Sequence, residues 1–261
     1  VSTTDAVCFG YCNGTASVLA IGGNGAYAYG WSGGVAGNTP NASGICAGDY
    51  TVTVYDANNC SGSAPFTIGE PDVLMIDAII AQDETCPGSC DGTISINDPL
   101  GAQYSINAGG TFQQGSLFTG LCPGDYNIVM QDANGCVAAG GAVIGTPAPV
   151  VAGFTFTPET LLVSNPVAQF NNTSSPNASS FSWDFAGIGS SSAASPSFTF
   201  PGGLGDTYLV CLTVQDANGC EDEHCAPIEV LDALLVNVPN SFTPNGDGFN
   251  DGFCPIFNLP W

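Results

Sequence analysis

Apolar residues alternate with polar ones along three short stretches of the chain, and each stretch runs into the same polar turn. Residues 50–60 read YTVTVYDANNC, residues 126–136 YNIVMQDANGC and residues 208–220 YLVCLTVQDANGC. A period of two puts Tyr50, Val52 and Val54 on one face, which predicts a half-buried β-strand. The Asp-Ala-Asn that follows, completed by Asn or Gly, predicts a tight hairpin turn. Asn and Gly tolerate positive φ there, and an Asp carboxylate accepts a hydrogen bond from backbone two residues on. Three such hairpins, each a small domain's length apart, predict a string of β modules.

The first module is expected over residues 1–72. It opens with CFGYCNG at 8–14, continues as a strand at 15–21, turns at GGNG and returns through Tyr27, Tyr29 and Trp31. The second, 73–149, repeats that frame. Cys86 and Cys90 lie 78 residues after Cys8 and Cys12, and Cys122 and Cys136 lie 76 after Cys46 and Cys60, as a duplicated domain with one shortened loop requires. A third module is expected over 150–232 and a further segment over 233–261. The joints GEPD at 69–72 and GTPAP at 145–149 contain proline, which fixes φ, so they predict semi-rigid spacers and an extended rod.

Composition narrows the partners. Of 261 residues, 44% are hydrophobic, enough for a divided core. Lys and Arg are absent against 23 acids, a formal charge of −23. Ordinary side-chain salt bridges are therefore missing, phosphate contacts with nucleic acid are excluded, and no attraction to an anionic membrane surface arises. Trypsin-like proteases find no cleavage site. No run of about 18 apolar residues predicts a membrane-inserted helix, and no secretory leader is legible before Val1, which reads as the start of a mature or trimmed chain.

Twelve cysteines without zinc-type Cys and His spacing predict disulfides and an oxidising compartment. If each signature turn lies at its module's N-terminal end, Cys60 falls near Cys8 or Cys12, and Cys136 near Cys86 or Cys90. Cys46 is harder to place, since a strand of about 20 Å separates it from Cys60, and Cys122 holds the matching position in the second copy. Cys211 and Cys225 are equidistant from Asn218, which suggests a bond across the hairpin. Cys220 and Cys254 remain as partners by elimination. Each bond contributes roughly 2–4 kcal/mol, which matters in modules this small.

Candidate chemistry is sparse. His224, the one histidine, lies in EDEHC without a cationic neighbour, and no GxSxG elbow is present, so no enzyme is expected. Asn245, Asp247, Asn250 and Asp251 offer closely spaced oxygen ligands around two glycines, a candidate Ca2+ site or else an Asx-rich turn. Trp183 is expected as a core anchor. Tyr27, Tyr29 and Trp31 suit either core packing or stacking on surface glycans.

The frames CFGYCNGTASV with ICAGDYTVTVYDANNC, and CPGSCDGTISI with LCPGDYNIVMQDANGC, resemble the SprB-type repeat of gliding-motility adhesins. FSWDF at 181–185, with FTF and YLVCLTV beyond it, resembles the PKD (polycystic kidney disease) domain. In the loop that follows, Ala186 and Ile188 depart from that family's pattern. VPNSFTPNGDGFND at 238–251 resembles the opening of a type B C-terminal sorting domain of the type IX secretion system. These resemblances imply an all-β chain of tandem immunoglobulin-like β-sandwich modules, secreted to the bacterial cell surface by the type IX machinery. The function implied is a non-enzymatic stalk or adhesin segment. Alternatives are a subunit of a self-assembling filament, the partner then being the chain itself, and the accessory tail of a larger secreted hydrolase.

Overall fold

The computed structural model describes residues 1–98 and 103–232, together with a strand pair formed by Val236–Asn237 and Ile256–Phe257. The described chain is all β. It divides into two compact units, Val1–Glu84 with Gly88–Thr146, and Thr85–Pro87 with Pro147–Trp261.

The first unit contains two copies of one six-stranded arrangement. In the first copy these are β1 (Ser2–Thr4), β2 (Gly14–Ser17), β3 (Ala28–Trp31), β4 (Asn41–Ile45), β5 (Gly48–Tyr55) and β6 (Ser61–Ile68). They form two antiparallel sheets, β1-β2-β4 and β3-β5-β6. The second copy has β7 (Ala78–Gln82), β8 (Gly92–Asn97), β9 (Gln103–Ser105), β10 (Leu117–Leu121), β11 (Gly124–Gln131) and β12 (Val137–Ile144). Its sheets, β7-β8-β10 and β9-β11-β12, have the same order. A duplication legible in cysteine spacing is thus a duplication of topology.

Each copy closes over its own apolar cluster. Ala16, Trp31, Ile45, Val52, Phe66 and Ile68 form the first, and Ile94, Ile96, Tyr104, Ile128, Met130 and Ile144 belong to the second. The signature strands supply Val52, and Ile128 with Met130, from their inward face, as a period of two requires. Gly14 and Gly92 open the matching strands β2 and β8 for a steric reason. A Cβ at Gly14 would stand 2.6 Å from Ile68 Cγ2 and 2.9 Å from the Ile45 carbonyl oxygen; at Gly92 it would stand 2.7 Å from Ile144 Cγ2 and 2.9 Å from that of Leu121. The two sheets approach too closely there for any side chain.

The second unit is a β-sandwich of β13 (Phe154–Thr157), β14 (Leu161–Leu162), β15 (Val167–Asn172), β16 (Ala178–Phe185), β17 (Ser190–Ser191), β18 (Ser197–Thr199), β19 (Asp206–Asp216) and β20 (Glu221–Leu231). One sheet runs β13-β15-β18 and the other β14-β20-β19-β16-β17. Trp183 is 1% exposed and packs at 5.1 Å from Phe154 and 5.2 Å from Phe170, ring centroid to centroid. Its indole N–H donates to the Ala193 carbonyl at 2.9 Å, so burial leaves no polar atom stranded. Alternate residues Val210, Leu212 and Val214 of β19 complete this core.

Candidate functional site

The three signature turns share one geometry. In each, the Asp Oδ1 accepts hydrogen bonds from the backbone N–H two and four residues on. Asp56 takes those of Asn58 and Cys60 at 2.9 Å each, Asp132 those of Asn134 and Cys136 at 2.9 and 2.8 Å, and Asp216 those of Asn218 and Cys220 at 2.8 and 3.0 Å. The fourth residue has positive φ in every copy, 61° at Asn59, 86° at Gly135 and 91° at Gly219. The carboxylate therefore holds the cysteine's own amide and presents its sulfur at the turn.

That sulfur is bonded in two of the three turns. Cys136 pairs with Cys8 and Cys220 with Cys86. Surroundings repeat as well: Cys136 Sγ lies 3.4 Å from the Val7 carbonyl oxygen and Cys220 Sγ 3.2 Å from that of Thr85. Val7 and Thr85 each precede the bonded loop cysteine. Cys136 and Cys220 are buried. Cys60, in the first turn, is exposed and carries no disulfide.

The remaining bonds lie within single modules. Cys12 pairs with Cys46 and Cys90 with Cys122, because β2 pairs with β4 so that Gly14 faces Ile45, and β8 with β10 so that Gly92 faces Leu121. Cys211 pairs with Cys225, directly opposite across β19 and β20.

These bonds correct three expected pairings. Cys60 bonds neither Cys8 nor Cys12, Cys136 bonds neither Cys86 nor Cys90, and Cys220 bonds Cys86 instead of Cys254. The physical reason is the direction of β5 and β11. Cys46 is tied to Cys12, and β5 then carries the chain through eight residues, about 25 Å, before the turn. A signature turn thus stands at the far end of its module from its own cysteine loop. One count pointed that way: the third turn has its cysteine, yet its module has no Cys-x-x-x-Cys loop to bond it.

Carboxylates also organise the cysteine loops, through residues that no local sequence pattern marks. The Glu70 carboxylate accepts from Gly10 N–H at 2.6 Å, and Glu84 accepts from Gly88 and Cys90 N–H at 3.0 and 3.1 Å. Asp5 and Asp83 accept from Gly69 and Gly145 N–H at 2.8 and 2.6 Å, latching the ends of each copy. In a chain without Lys or Arg, backbone amides take the place of cationic partners. Burial pushes the Glu84 carboxyl up, but the amides of Gly88 and Cys90 and the Thr146 side chain together outweigh it and hold the group below its usual range. Asp56 is likewise held low, by the amides of Asn24 and Cys60 foremost.

Other candidates fall in different places. Trp31 is a core residue whose indole donates to Thr39, while Tyr27 and Tyr29 are half-buried and Tyr27 O–H donates to the Gly22 carbonyl. Exposed His224 sets its ring at 5.3 Å from Phe154 in an edge contact. Glu223 lies with Cys211 and Cys225 within 4.8 Å, but those sulfurs are bonded to each other and offer no thiolate to a metal. Asn245, Asp247, Asn250, Asp251 and Cys254 lie outside the described residues. No helix among the described residues is long and apolar enough to cross a membrane.

No known protein-family model matches the chain, and no curated protein sequence does. Solved structures similar to it include the PKD1 domain of the Vibrio cholerae metalloprotease PrtV, 31% identical over 32% of this chain and 99% of that one, with a TM-score of 0.27. Fibronectin(III)-like modules of Clostridium thermocellum CbhA match at 12% identity over 61% and 88%, with a TM-score of 0.28. A tetra-tandem repeat from the extending region of a large adhesion protein matches at 12% identity over 90% and 75%, with a TM-score of 0.23.

Proposed function

We propose that this chain is a non-enzymatic segment of an extracellular surface stalk or adhesin, built from two SprB-type repeats and a PKD-like module. In this proposal the segment from residue 233 begins a type IX sorting domain, and the protein is displayed on a bacterial cell surface. The Cys8 to Cys136 bond carries the reading most directly, since it joins two copies of one repeat in parallel with the peptide linker. Tension between the copies is then borne by a covalent bond as well as by the linker, which suits a protein whose work is projection. Five disulfides among the described residues also call for an oxidising compartment. The residues at Asn245, Asp247, Asn250 and Asp251 are proposed as a Ca2+ site, tested by titration calorimetry of the full chain.

Antibody labelling of unpermeabilised producer cells tests the proposal, in the parent and in a strain lacking the type IX outer-membrane channel. Surface label that disappears in the channel mutant is expected. Label confined to permeabilised cells, or unchanged in the mutant, overturns it.

A further inference from the structure

Among the described residues, the open position in the disulfide pattern is Cys60. Two turns of identical geometry have their cysteine bonded to the first cysteine of a Cys-x-x-x-Cys loop from outside their own module, Cys136 to Cys8 and Cys220 to Cys86. In both, the carbonyl before that loop cysteine rests against the turn sulfur, and the sulfur is buried. The first turn has the same Asp-to-amide bonds and likewise a positive φ at its fourth residue, yet its cysteine is exposed. What differs is the covering loop, not the turn.

The surface beside Cys60 also lacks cover. Leu19 and Ile21 are 86% and 85% exposed, and with Tyr27, Asp56, Cys60 and Gly62 they line a groove of about 400 Å³. At the second turn, the residue after the bonded loop cysteine, Phe9, shares a cleft with Val73, Leu74 and the turn residues Asp132, Ala133 and Asn134. An apolar residue follows the loop cysteine in both loops, Phe9 in one and Pro87 in the other, and the groove at Cys60 offers apolar surface for its counterpart.

We propose that Cys60 is a covalent docking site for the Cys-x-x-x-Cys loop of another module of this repeat type, bonded through that loop's first cysteine. Two thiols join as one disulfide, and their two electrons and two protons pass to an external disulfide oxidant, which leaves as two thiols. Repetition of this bond adds modules in one direction, loop end to turn end. The inference rests on the bonding pattern and stands whether or not the protein is an adhesin.

The full chain with Cys136→Ser tests it, because that change frees Cys8 on a loop still held by the Cys12 to Cys46 bond and by Glu70. The variant is incubated with oxidised glutathione, and its cross-links are mapped by non-reducing peptide mass spectrometry. Intermolecular Cys8 to Cys60 bonds are expected, forming about tenfold faster in the native chain than in the same chain in denaturant, and absent when Cys60→Ser is added. Glutathione adducts alone at Cys60, a bond from Cys8 to Cys254, a Cys8 to Cys60 bond within one molecule, or equal rates native and unfolded overturn the proposal. In protein isolated from producer cells, a Cys-x-x-x-Cys loop peptide bonded to Cys60 is expected, and a free Cys60 or one bonded to any other peptide overturns the proposal.

Discussion

Cys8 is bonded to Cys136, a residue 128 positions later and in the other copy of the repeat. The bonds that close each copy on itself are local by comparison, 34 residues apart for Cys12 and Cys46 and 32 for Cys90 and Cys122. Two kinds of staple therefore coexist in the first unit. One shortens the unfolded chain of a single copy, and the other joins two copies that already have cores of their own.

The two kinds separate in calorimetry. Cys12→Ser with Cys46→Ser is expected to lower the stability of the first copy by about 2–4 kcal/mol, through restored freedom of its unfolded chain, and, with the Cys8 to Cys136 bond intact, to shift the coupled transition of both copies. Cys8→Ser with Cys136→Ser is expected to leave both copies folded and to split their melting into independent transitions. A single unshifted transition in the second variant shows that the bond couples nothing.

Gly92→Ala places a methyl group 2.7 Å from Ile144 Cγ2 and against two backbone carbonyls, none of which moves without disturbing the sheets. A loss of about 1–3 kcal/mol is expected, as for overpacking elsewhere, and Gly14→Ala should match it because its neighbours match. Gly62→Ala is the control, since nothing lies within 4 Å of a Cβ there. Denaturant titration of the three variants checks the order.

Trp183 anchors the second unit against Phe154, Phe170 and Phe185. Trp183→Ala should cost about 3–5 kcal/mol by loss of contacts and the cavity left behind. Trp183→Phe should cost less, since it retains much of the apolar volume and loses the bond to the Ala193 carbonyl. Near-equal losses in the two variants would show that the hydrogen bond, and not the volume, dominates.

Strands, turns and the duplication were legible because each is local. Period-two alternation placed Tyr50, Val52 and Val54 on one face, and that face packs on the core; the Asp-Ala-Asn turn required a residue that accepts positive φ. Trp183 was legible as an anchor because a large aromatic flanked by polar residues on a strand has one face to bury. Of the cysteine pairings, Cys211 with Cys225 was legible because it is local to one hairpin; those of the signature turns were not, because they depend on which end of a module the turn occupies. That follows from the pairing of β2 with β4, a contact between strands more than twenty residues apart. Glu70 and Glu84 were missed for a related reason: a carboxylate that grips backbone amides leaves no residue-type pattern behind. The absence of Lys and Arg was the available clue, since buried or bonded carboxylates in such a chain must find N–H groups.

Glu84 makes that dependence measurable through pH. The residue is buried, and its carboxyl is held below its ordinary value by the amides of Gly88 and Cys90 and the Thr146 side chain, which outweigh the opposing effect of burial. The unfolded chain binds the proton at the ordinary value and the folded chain only at a lower pH. The contribution is thus fully present above the ordinary glutamate range and is lost as pH falls through the folded value. The first unit should unfold at lower denaturant concentration as pH drops from about 5 to about 3. Glu84→Gln removes the titrating group while keeping one acceptor for the loop amides. It should lower stability at neutral pH and flatten the acid slope, whereas an unchanged slope would assign the acid sensitivity to other carboxylates such as Asp56, which is also held low.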